Sequence, residues 1–180
     1  MRISISKLKA ILLYFCAHTN PRFLGKVKLM KLFYFLDFMH VKQYGSPVTY
    51  DDYVHLERGP IPSNIKNLVD NVDDDMDDAI LSDTIKIETL EGQKIHRILP
   101  LRKFSKDDEK YFSENELDIL QKVCIRFGNV NTRKIEDESH KESPWNSTEL
   151  LDKIPYILAA DDADCKVTKE EIKLLMDLIK

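Results

Sequence analysis

The sequence predicts an α+β fold, mainly α-helical, with about six helices and a small antiparallel β-hairpin or three-stranded sheet. Three observations carry this. Apolar residues recur at helical spacing in several separate stretches, two of them opened by capping boxes. Two alternating stretches, Thr84 to Leu90 and Gln93 to Leu99, flank Glu91-Gly92, a pair suited to a hairpin turn. A length of 180 residues, 43% of them hydrophobic, suits one core, so residues 1–180 are read as a single domain.

Leu8, Ile11, Leu12 and Phe15 mark the first helix, which Asn20-Pro21 and Gly25 end. From Lys26 to about Tyr44 apolar residues are so dense that both sides of the second helix must be covered, which makes it the centre of the fold. Val48 to Leu56 reads as a short extended segment, and Arg58-Gly59-Pro60-Ile61-Pro62 as a turn. Ile65, Leu68, Val69 and Val72 then place one apolar stripe on a third helix starting at Pro62 or Ser63.

The run Asp73-Asp74-Asp75-Met76-Asp77-Asp78 departs from a calcium loop at its glycine and bidentate positions, so it reads as a solvated loop. Ser113 with Glu116 caps a fourth helix, whose end at Gly128 suits the left-handed conformation. A fifth helix is expected from Asn131 or Thr132 to Ser139. Thr168 with Glu171 caps the last, from Lys169 to Ile179.

A net charge of −4 gives no general attraction to nucleic acid, so such a role needs a local basic patch. Cys16, Cys124 and Cys165 form no C-x-x-C pair, which points to a reducing cytosol and gives neither a disulfide framework nor a zinc site. No signal peptide or membrane span is expected, and a cytoplasmic protein is the reading. P-loop, G-x-S-x-G, H-E-x-x-H and dinucleotide fingerprints are absent, and no cofactor or metal is expected.

Several residues nevertheless stand out. On the second helix Lys28, Lys31 and Lys42 share one arc with Phe35 and Met39 close by, a face on which another chain could dock. Asp37 points the other way, among apolar residues, so it must be paired, hydrogen-bonded or protonated; a backbone turn or an arginine would serve, and Arg58 is the specific candidate. In the string Ser139-His140-Lys141-Glu142-Ser143-Pro144-Trp145, His140 could serve as a base or end a helix, and Trp145 anchors a core or an interface.

Read together, Val27 to Asp37, Tyr44 to Thr49, Gly59 to Pro62, and Ser139-His140 with Pro144-Trp145 resemble the Panacea domain of SocA-like antitoxins, over about residues 5 to 160. The resemblance implies an antitoxin that binds and neutralises a cognate toxin encoded by a neighbouring gene, often in prophages or other mobile elements. Relatives carry no agreed catalytic centre, so Lys28, Lys31, Tyr34, Asp37, Gly59, Pro60, His140 and Trp145 transfer as a structural or binding cluster. Many relatives carry an added N-terminal DNA-binding module, and here the similarity begins almost at Met1, so direct DNA binding is not expected of this chain alone. The toxin-binding surface is expected on an exposed part of the second helix, including Lys28, Lys31, Phe35 and Met39. The alternatives are an enzyme using Asp37, His140 and Arg58 in one pocket, or an adaptor delivering a partner to a protease; a homo-oligomer stays open.

Overall fold

The apolar stretch at Lys26–Tyr44 becomes α2, the axis of the molecule, with fourteen of its nineteen residues buried. This computed structural model describes residues 2–89 and 96–178. Helix α1 (Ile5–His18) meets α2 through Phe15, whose ring stands edge-on to Phe33 at 5.3 Å, and starts at Ser4, whose hydroxyl accepts from Lys7 N. Gly45 ends α2 in the left-handed region at φ 80°, its N–H donating to Val41 O, a conformation that favours glycine.

Strands β1 (Tyr53–Leu56) and β2 (Gly59–Pro62) pair antiparallel, from Tyr53 opposite Pro62 to Leu56 opposite Gly59. The stretch expected to be a turn thus supplies a strand, because Glu57-Arg58 alone reverses the chain. On its other side β1 exchanges hydrogen bonds with residues 151–154: Leu151 N donates to His55 O, His55 N to Asp152 O, and Ile154 N to Tyr53 O, at 2.8 to 2.9 Å.

Helix α3 (Ser63–Asp73) follows at once, and β3 (Ile85–Thr89) pairs with β4 (His96–Pro100) as a second, separate antiparallel sheet. The expected turn at Glu91-Gly92 lies outside the described residues. Among the described residues the fold is therefore α+β with two two-stranded sheets, where one hairpin or three-stranded sheet was expected. Beside α5 (Glu114–Phe127) and α8 (Lys169–Asp177), which start where their capping boxes predict, and α6 (Thr132–Ser139), which lies in the range expected for it, three short elements add to the helix count: α4 (Lys106–Glu109), α7 (Ser143–Asn146) and a 3-10 helix (Tyr156–Asp161). Each is too short to show a repeating apolar period.

Gly128 is a second correction. Its φ is −55°, ordinary helix, and glycine is needed there for space: a Cβ would stand 2.6 Å from His18 O.

α2 touches α3, α5, α6, β2, β4 and the 3-10 helix, and its buried face joins side chains from Leu8 to Ile172 in one hydrophobic cluster. Being covered on all sides, α2 is where any polar side chain must find a partner inside the protein.

Candidate functional site

The lysine stripe of α2 does not face solvent. Lys28 and Lys31 are 0% exposed and Lys42 is 3% exposed, and each ammonium holds a different part of the chain. Lys28 Nζ donates to Gly128 O at 3.0 Å and Val130 O at 2.6 Å, tying down the turn between α5 and α6. Lys31 Nζ donates to Pro60 O at 2.8 Å, on β2. Lys42 pairs with Glu142, with Asp162 at 2.8 Å and with Asp164 at 3.1 Å, fastening α7 and the end of the 3-10 helix. Phe35 is likewise 0% exposed and stacks on Phe127 at 4.2 Å, while Met39 is partly buried against the core. The docking face expected on α2 is therefore covered, because neighbouring elements close over both sides of a helix this apolar.

Burial sets the electrostatics of this row. It pushes Lys31 down to about 7 and Lys28 down to about 8. Burial also opposes the charge of Lys42, but Glu142 and Asp162 outweigh it and its pKa is raised.

Asp37 is equally buried, and its partners come from a turn. Val48 N and Thr49 N donate to Oδ1 at 2.8 and 2.7 Å, and the Thr49 hydroxyl and Tyr53 Oη donate to Oδ2, the latter at 2.9 Å. Tyr156 Oη donates to Asp51 O at 2.7 Å and stands 3.3 Å from the same carboxylate. Burial raises the Asp37 pKa to about 6, and the four donors hold it from rising further. Arg58 is not its partner: the guanidinium pairs with Glu136 at 2.9 Å on α6. A two-residue turn carries Arg58 outward, where its side chain is 62% exposed.

The structure gathers Lys31, Gly59, Pro60, His140 and Trp145 around the β1–β2 hairpin. Gly59 has φ 92°, and a Cβ there would meet Ser139 Oγ at 2.7 Å, Lys31 Cε at 3.0 Å and His140 Nε2 at 3.1 Å. Both the dihedral and the space demand glycine. Trp145 stacks with His140 at 4.1 Å and with His55 at 4.4 Å, and His55 Nδ1 lies 2.9 Å from Thr148 Oγ1. Burial, then Lys31, lowers the pKa of His140. Tyr34 Oη, His140 Nε2 and Trp145 Nε1 are buried without hydrogen-bond partners among the described residues. Arg58 and His140 therefore line one cleft, and Asp37, held by the Thr49 turn and Tyr53, is not among its lining residues.

His55, Glu136, Thr148, Tyr53 and Tyr156 belong to these networks and were missed by the sequence reading. Only Tyr53 and His55 carried a signal, as alternate positions of an extended stretch.

The scan against family models matches residues 29–146 to "Antitoxin SocA-like, Panacea domain". The chain belongs to this family. The Panacea match takes in Lys31, Asp37, the hairpin and the string through Trp145, and leaves Lys28 one residue outside it. Leu151 and Tyr156, which brace the Panacea hairpin and the Asp37 turn, also lie beyond it. Searches of the curated proteins and of the solved structures found no match. Among the described residues no helix is long and apolar enough to cross a membrane, and no group of three His, Cys, Asp or Glu could hold a metal ion.

Proposed function

We propose that this chain is an antitoxin that neutralises a co-encoded toxin by direct protein contact, through the face formed by the Glu57-Arg58 turn and the loop from Trp145 to Leu151. Membership in the SocA-like antitoxin family supports the class of partner. One observation supports the face: Leu151 has φ 73°, a region leucine rarely adopts, and is 72% exposed beside Leu150 at 53%. Its N–H is bonded to His55 O, so the turn is held firmly while the side chain gains no burial from its strained backbone. Two adjacent leucines held out on a braced turn suit insertion into an apolar pocket of a partner.

The test is co-expression with the product of the adjacent gene, scored by growth and by recovery of a complex. Wild type restores growth and co-purifies with that product. Leu151→Gly relieves the positive φ and removes the knob, so it keeps or raises the melting temperature while weakening neutralisation. No complex and no rescue by wild type, or full neutralisation by Leu151→Gly, overturns the proposal.

A further inference from the structure

Beside this face lies a cleft of about 710 Å³ with three arginines and three acidic residues in its lining. Arg22, from the turn after α1, Arg58, from the hairpin, and Arg133, from the first turn of α6, converge on it, with the Phe23 ring as a half-buried wall. The three guanidinium groups come from segments far apart in sequence, in a chain whose net charge is −4. Arg22 and Arg133 are exposed, and neither side chain has an ion pair among the described residues. Arg58 is held by Glu136, which also lines the cleft.

We infer that this cleft receives an acidic segment of the protein partner, a carboxylate of which sits between Arg22 and Arg133 while an apolar side chain covers Phe23. Guanidinium groups bind carboxylates through paired N–H donors, and an incoming carboxylate can also replace Glu136 on Arg58. The same lining argues against a nucleic acid. Glu57, Glu136 and Asp137 stand among the arginines and repel a continuous row of phosphates, whereas a peptide can place one carboxylate and turn neutral groups toward the acids. The inference rests on the protein-binding reading above and adds to it the chemistry of the bound segment.

The experiment uses the isotope-labelled full chain, titrated with a short capped peptide holding a single glutamate among leucine and serine, with its glutamine counterpart, and with a short single-stranded oligonucleotide. The glutamate peptide is expected to give saturable shifts of the Nε–Hε signals of Arg22, Arg58 and Arg133, with affinity at least about tenfold above the glutamine peptide. Arg22→Glu/Arg133→Glu is expected to abolish these shifts without changing the melting temperature, since both residues are exposed. Absence of the shifts, equal binding of the glutamine peptide, or tighter binding of the oligonucleotide overturns the inference. In the co-expression assay the two proposals separate. Failure of wild type to neutralise sinks the antitoxin reading whatever the peptide does, and full neutralisation by the double variant sinks the acidic cleft alone.

Discussion

Lys31 Nζ donates to Pro60 O at 2.8 Å, and this bond ties the central helix to strand β2 inside a fully buried space. A buried carbonyl that loses its donor costs about 1–3 kcal/mol, and an emptied core site adds a cavity cost. Lys31→Ala is therefore expected to lower unfolding stability by about 3 kcal/mol or more, and Lys31→Met, which keeps the stem, by less. Urea denaturation of the three proteins checks the order.

The same lysine sets a pH dependence. Its pKa falls from the ordinary 10.5 to about 7 on folding, with Lys28 falling to about 8, so between those values the unfolded chain holds protons that the folded chain has lost. Stability accordingly rises with pH above about 7, by at most about 1.4 kcal/mol per pH unit for each group. Burial raises the Cys16 and Cys124 thiols to about 12 from 9.0, and their ionisation in the unfolded chain opposes the trend at higher pH. Melting temperatures from pH 7 to 8.5 are expected to climb in wild type and to climb less in Lys31→Met.

Gly59→Ala meets two obstacles at once, a positive φ and a Cβ 2.7 Å from Ser139 Oγ. The expected loss is about 2 kcal/mol or more. Ser139→Ala removes one clash and leaves the dihedral, so the double variant should recover part of the loss. A double-mutant cycle that shows no coupling between the two positions would contradict this geometry.

Asp37→Asn should destabilise by about 2–4 kcal/mol, because an amide cannot accept from donors on both of its sides. Exchanging charges in Asp37→Arg/Arg58→Asp should restore nothing, since Arg58 serves Glu136. Recovery of stability in that double variant would argue for a direct pair.

Trp145 is the only tryptophan, and its contact with two imidazoles makes it a reporter. Protonated imidazole quenches indole fluorescence, and burial holds His140 below 6.5, so emission should drop at a midpoint under that value. His140→Ala is expected to remove most of the drop. An unchanged titration in that variant would assign it to another group.

Local chemistry alone determined much of this protein. Capping boxes at Ser113 and Thr168, the apolar density of Lys26–Tyr44, and the alternation before and after residues 90–95 each specify an element through neighbours in the chain, and the K-L-x-K-L and S-H-x-x-x-P-W strings were enough to point to the family. What the tertiary structure decided were the partners. Lys28, Lys31 and Lys42 share an arc that helical spacing describes as well for a wet face as for a buried one; only the packing of α5, α6, β2 and the 3-10 helix around α2 turns them inward onto carbonyls and carboxylates. Arg58 was drawn to Glu136, and Asp37 to Thr49 and Tyr53, by where a two-residue turn and a return of the chain at residues 151–156 placed them. Periodicity reports the side of a helix on which a residue lies, and distance in space, which decides hydrogen bonds and ion pairs, is settled only when the elements pack.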